Sequence, residues 1–262
     1  MSLRWVEGKP ESAPRLTGGM NILKTIARRA RWEMRLALDR AMDRFYSIDT
    51  AIAGHLPEAQ ESSRFGDTHV NGPVSYWILS SYIDWKELGP EEVFYDIGSG
   101  DGRVLCVAAR HRIAKCVGIE LSPRFAEKAR ANAAAMRGRV SQIEVRVGDA
   151  AEMDYTDGTT FYFGDPFGPD TMRAVLKRIG DTVATNPRSV RCIFVLTTAE
   201  RSDAVGQAIK DSGWLRFAGK RSLPYSPMRV EHWYWEPDRS FEDAGAEEAS
   251  ALRVGGAPRG RD

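Results

Sequence analysis

The run Val93-Phe94-Tyr95-Asp96-Ile97-Gly98-Ser99-Gly100-Asp101-Gly102-Arg103-Val104 constrains this chain more than any other stretch. An apolar, β-rich segment passes into a turn with glycine at alternate positions and then into a helix-forming segment. Glycine reaches backbone conformations closed to other residues and lets the main chain approach a ligand closely. The helix start beyond it offers unpaired N–H groups and the positive end of a dipole, where a carboxylate or phosphate can sit. Alone, such a turn says little about which ligand it serves. Its details say more. A dinucleotide-binding turn needs a third glycine or alanine three residues beyond the second. Here Arg103 stands at that position, and the third glycine is Gly102. Asp96 also ends the strand, where dinucleotide-binding strands are usually apolar.

From Val93 onward, strand and helix patterns alternate. Strands are predicted over 93–97, 116–120, 143–147, 161–164 and 192–196. Helices are predicted over 102–111, 123–136 (with Pro123 in its first turn), 169–185 and 198–212. In the 169–185 helix, Met172, Val175, Leu176, Ile179 and Val183 share one face. This alternation predicts a parallel sheet with helices on both faces. Two further strand-like segments, 214–223 and 230–235, are joined by the short link Pro224-Tyr225-Ser226-Pro227-Met228. With no crossover helix between them, they predict a terminal antiparallel hairpin.

Upstream, residues 21–46 read as an amphipathic helix. Leu23, Ile26, Met34, Leu38 and Phe45 lie on one side; Lys24, Arg28, Arg31 and Arg35 lie largely on the other. The basic face reads either as a surface for a partner, an acidic lipid or a nucleic acid, or as the solvated back of a helix docked on the core. Residues 49–66 read as loop, and 67–88 as a helix after the turn Asn71-Gly72-Pro73. The expected organisation is a disordered N-terminus (1–20), a helical extension (21–66), a main domain (67–237) and a disordered tail (238–262).

A formal net charge of +1 gives no whole-protein pull toward nucleic acid or an anionic membrane. No segment has the length of a membrane span, and the N-terminus lacks an apolar signal region, although Met20 could itself be a start. Cys106, Cys116 and Cys192 each sit in an apolar run, without the spacing of a disulfide framework or a zinc site. They read as reduced core thiols of a cytoplasmic-type compartment, and no metal site is expected.

The Asp96–Gly102 stretch resembles the first motif, acid-x-Gly-x-Gly-x-Gly, of the class I S-adenosylmethionine-dependent methyltransferases. Asp96, Gly98, Gly100 and Gly102 match it position by position, and the resemblance covers residues 67 to about 236. It implies a Rossmann-like α/β fold with a seven-stranded, mostly parallel sheet ending in an antiparallel hairpin. The N-terminal helical extension precedes it. The resemblance also implies S-adenosyl-L-methionine as cofactor. Glu120, ending the second strand, matches the acid that receives the ribose hydroxyls. Asp149 and Ala150, after the third strand, match the adenine contacts, while Asp96 and Asp101 fall near the methionine portion. Asp165-Pro166-Phe167, after the fourth strand, matches the position facing the incoming nucleophile. It is similar to the Asp/Asn-Pro-Pro-Phe/Tyr motif of enzymes acting on amide or amino nitrogen, but lacks the second proline. The resemblance makes Asp165 the catalytic candidate, holding an N–H of the acceptor.

Asp67-Thr68-His69-Val70-Asn71-Gly72-Pro73 loosely resembles the cofactor-covering loop of class I enzymes related to protein lysine methyltransferases. The implied acceptor is a nitrogen of a protein side chain or small molecule, with nucleic acid disfavoured. Tyr76, Tyr162, Tyr225 and His232 could line the acceptor side, although packing is the ordinary role for each. The rival is a non-catalytic module of the same fold that binds a partner through the basic helix.

Overall fold

The computed structural model describes residues 18–50, 66–67, 72–197, 200–222 and 228–237. The expected disordered tail and most of the expected disordered N-terminus lie outside them. The chain forms two compact units, Met1–Met42 and Asp43–Asp262. Most of helix α1 (Gly18–Tyr46) belongs to the first. Ile26, Met34 and Leu38 on its apolar side are 59%, 59% and 58% exposed.

In the second unit, the helix expected over 67–88 is much shorter. Helix α2 spans only Tyr76–Tyr82. Pro73 opposes helix in the residue before it, and Ser75 starts the helix by accepting the Trp77 N–H at 3.3 Å. Asp84 then accepts the Lys86 N–H at 3.1 Å and starts a separate 3-10 turn, Trp85–Glu87.

The regular alternation follows: β1 (Val93–Ile97), α3 (Arg103–Ala108), β2 (Lys115–Glu120), α4 (Pro123–Ala135), β3 (Gln142–Val147), β4 (Thr160–Phe163), α5 (Pro169–Thr185), β5 (Val190–Thr197), α6 (Glu200–Asp211), β6 (Arg216–Ser222) and β7 (Met228–Trp235). The seven strands lie in the order β3-β2-β1-β4-β5-β7-β6. β7 enters antiparallel between β5 and β6, so it alone opposes the common direction and β6 forms the edge. This is the Rossmann-like fold that the resemblance implies, and β6 and β7 pair as the expected terminal antiparallel hairpin.

One face of the sheet buries Tyr95, Ile97, Val117, Ile119, Phe161 and Phe163 against α5 and α6. The predicted stripe on α5 is realised, with Met172, Val175, Leu176 and Ile179 fully buried. On the other face, Asp96 stands in register between Gly118 of β2 and Tyr162 of β4. Leu105 of α3 covers that face so closely that a Cβ on Gly118 would lie 2.5 Å from its Cδ1. β1 is flanked by β2 and β3 on one side and by β4 and β5 on the other. The chain reverses its progress between β1 and β4, and ligands of open α/β sheets bind beyond the strand ends at such a switch point. Among the described residues, no helix is long and apolar enough to cross a membrane.

Candidate active site

The glycine-rich turn leaves β1 at this switch point. Its head is tied to β2, because the Gly98 and Ser99 N–H groups donate to Ile119 O at 2.9 and 3.0 Å. Gly98 has φ 77°, in the left-handed region, and a Cβ there would fall 2.4 Å from Cβ of Pro166. The absent side chain therefore lets the Asp165–Pro166 loop lie directly against the turn. Gly102, with φ 82°, lacks a Cβ that would press on Ala129 of α4 at 3.0 Å.

Glu120 organises the neighbouring strand end. One carboxylate oxygen accepts the Gly100 N–H at 2.8 Å and the other accepts the Ser122 N–H at 2.9 Å. Burial pushes its pKa up, opposed by these backbone donors. Asp96 is 2% exposed, and its Oδ2 has no partner among the described residues. Its pKa is raised well above the ordinary carboxylate range, first by burial and then by the charge of Glu120. Ser99 Oγ, Asp101 Oδ1 and the Tyr162 hydroxyl are likewise buried and unpartnered among the described residues. Native proteins leave few such groups unpaired, and each one calls for an explanation such as a ligand. The other oxygen of Asp101 is held by Lys128 at 2.9 Å.

Gly148 N donates to Glu120 O at 3.0 Å, which brings the start of Asp149-Ala150 beside the β2 end. Asp149 Oδ1 accepts the Ala151 N–H at 2.9 Å, shaping the turn, and Ala150 O accepts the Tyr155 hydroxyl at 2.6 Å. Asp165 has φ 56°, a left-handed conformation rare outside glycine; aspartate tolerates it best after asparagine, and such residues cluster at functional sites. Phe167 is buried with its ring 6.4 Å from that of Phe163, fixing the loop from below.

Asp67 has a role that local sequence could not give. Its carboxylate caps α5, accepting the Asp170 and Thr171 N–H groups at 3.2 Å and the Thr171 hydroxyl, while its carbonyl accepts the Gly168 N–H at 2.8 Å. The start of the upstream loop is thereby fastened beside Asp165–Phe167; residues 68–71 lie outside the described residues. Of the aromatic candidates, Tyr76 is buried and donates to Asp43 at 2.7 Å. Tyr162 lies next to Asp96, His232 is half-buried on β7, and Tyr225 lies outside the described residues. Cys106, Cys116 and Cys192 are buried free thiols. The unpartnered oxygens of Asp96, Asp101, Ser99 and Tyr162, the left-handed turn and the Glu120 bridge fit a ligand that carries both positive charge and hydroxyl groups.

Residues 56–158 match the family model described as "Histone methylation protein DOT1". A stretch of 45 residues is 49% identical to a Caenorhabditis elegans histone-lysine N-methyltransferase, H3 lysine-79 specific, covering 17% of this chain and 5% of that protein. The chain thus spans only a small part of that relative. Among solved structures, an RNA methyltransferase from Salinibacter ruber in complex with S-adenosyl-L-homocysteine is 22% identical, with a TM-score of 0.45, over 65% of this chain and 98% of its own. A methyltransferase from Methanosarcina mazei is 10% identical, with a TM-score of 0.48, over 62% and 98%. The family match falls on the stretch that carries β1, the glycine-rich turn, β2 and β3, so this part of the chain is similar to the DOT1 histone-methylation proteins.

Proposed function

We propose that the chain transfers a methyl group to an amino nitrogen of a protein side chain, with lysine as the first candidate. The observation that carries this reading is the contact of the Asp165–Pro166 loop with Gly98. It sets a carboxylate in a strained backbone conformation at the end of β4, beside the turn that leaves β1. The resemblance of Asp165-Pro166-Phe167 to nitrogen-methylating motifs and the DOT1 match support the choice of acceptor.

In this reading, Glu120 receives the ribose hydroxyls, Asp149 and Ala150 border the adenine, and Asp96 and Asp101 face the methionine end. Bound S-adenosylmethionine supplies a methyl group already activated by its sulfonium. The protein's remaining task is to align the nucleophile and keep water out. Asp165 accepts a hydrogen bond from the acceptor N–H and so turns the nitrogen lone pair toward the methyl group. The buried thiols support a reducing, cytoplasmic-type compartment as part of the same proposal.

Asp96 makes cofactor binding depend on pH. Burial and the neighbouring Glu120 hold its proton at pH values where an exposed aspartate has lost it. Once protonated, Asp96 has no charge with which to attract a cationic ligand. Affinity is therefore expected to fall as pH drops through this raised pKa, by about tenfold per pH unit where one proton is linked. Calorimetry over a pH series measures the slope. A flat profile, or an equal slope in Asp96→Asn, would contradict the role.

The acceptor is tested by incubating the protein with methyl-labelled cofactor and a panel of lysine-bearing proteins and peptides, then mapping the label by mass spectrometry. Label on lysine nitrogen supports the proposal. Label confined to oxygen or to nucleic acid overturns it.

A further inference from the structure

Resting on that reading, the geometry points to Asp43–Thr50 as a wall of the cofactor turn, held there by Arg103 and Asn132 as positioning residues. The family match begins only at residue 56, so this segment lies outside it.

Arg103 follows Gly102 directly, yet its guanidinium faces the N-terminal segment and is only 5% exposed. Nε donates to Thr50 Oγ1 at 2.6 Å, and Nη2 donates to Thr50 O at 3.1 Å and pairs with Asp43 at 3.4 Å. Nη1 donates to Val74 O at 3.2 Å, and the guanidinium stacks on the Tyr76 ring at 4.7 Å. Asp43 is satisfied from the other side by the Thr50 N–H and hydroxyl and by the Tyr76 hydroxyl.

A second tie grips the same turn. Asn132 of α4 donates through Nδ2 to Asp49 O at 2.9 Å and to Asp101 O at 2.8 Å, while its Oδ1 accepts the Asp49 N–H at 2.8 Å. Residues 49 and 50 are thus bound to 101 and 103, the two neighbours of left-handed Gly102.

Burying a guanidinium and a carboxylate is costly, and apolar side chains would serve as well for stability alone. A planar fork on fixed acceptors adds direction instead. Here the direction reaches the ligand side, because Asp101 is held by backbone and by one oxygen while its Oδ1 stays unpartnered among the described residues. The unit that binds cofactor therefore begins at Asp43, where the second compact unit begins, and not at residue 67.

The test uses the full chain. Thr50→Val keeps shape and removes the hydroxyl that receives Arg103 and donates to Asp43; Thr50→Ser keeps the hydroxyl. Thr50→Val is expected to raise the dissociation constant for S-adenosylmethionine, and its KM, about tenfold. The turnover number at saturating cofactor should stay within about twofold of wild type, and Thr50→Ser should bind as wild type does. Ile179→Val, in the core under α5, serves as a control for lost stability. Its melting temperature should fall while cofactor affinity holds. Wild-type affinity in Thr50→Val, or an equal loss of affinity in Ile179→Val, overturns the inference. If the unaltered protein fails to bind S-adenosylmethionine at all, the methyltransferase reading itself fails, and this inference with it.

Discussion

Gly98→Ala is expected to abolish cofactor binding at ordinary ligand concentrations while leaving a folded chain. Two effects combine. A non-glycine residue at φ 77° is strained by about 1–2 kcal/mol. The larger effect is steric, because the added methyl would fall 2.4 Å from Cβ of Pro166, whose ring cannot swing away. Either the turn or the Asp165–Pro166 loop must move by a large fraction of an ångström, and misplacement on that scale in a preorganised site reduces function by about a hundredfold. Titration with S-adenosylmethionine, with circular dichroism as a check on folding, measures the loss. If the clash is the cause, pairing Gly98→Ala with Pro166→Gly should recover part of the affinity, a coupling that a double-mutant cycle isolates. Unchanged binding in the single variant would show that the two loops do not meet as described.

Asp165→Ala is expected to separate chemistry from cofactor binding. If this carboxylate orients the acceptor as proposed, its removal should lower the turnover number by about a hundred- to a thousandfold, as loss of a preorganised polar group at a reacting centre does in other enzymes. Cofactor affinity should change only a few-fold, because the proposal sets Asp96, Asp101, Glu120 and Asp149, and not Asp165, against the cofactor. Asp165→Asn retains an acceptor oxygen and a residue type that tolerates φ 56°, so it should retain more activity than alanine. Single-turnover methyl transfer at saturating cofactor separates the cases. A loss seen in cofactor affinity instead of turnover would remove Asp165 from the acceptor side.

What was legible in the sequence was local. The β1 turn, the acids at the strand ends and the stripe on α5 each declare themselves within a dozen residues, through glycine spacing or periodicity. The strand alternation carried the fold class for the same reason. The missing features depend on contacts across the fold. The pattern of β6 and β7 predicts that they pair, but not that β7 enters the sheet beside β5. Local periodicity overextended α2, where Pro73, Ser75 and Asp84 divide the segment. Asp67 caps a helix 104 residues away at Thr171, and Arg103 reaches Thr50 across 53. Arg103 marked the turn as unlike a dinucleotide site, yet nothing nearby in sequence revealed what its guanidinium holds.

Binding of S-adenosylmethionine is tested most directly at Glu120. Titration calorimetry of S-adenosylmethionine and NADH against the full chain, unaltered and as Glu120→Ala, is the decisive measurement. Glu120 bridges the Gly100 and Ser122 N–H groups at the strand end that the ribose would meet, so its removal withdraws charged hydrogen bonds and loosens the turn. The prediction is that S-adenosylmethionine binds the unaltered protein, NADH does not, and Glu120→Ala weakens binding by about ten- to a hundredfold. Binding of NADH, or S-adenosylmethionine affinity indifferent to Glu120, would contradict it.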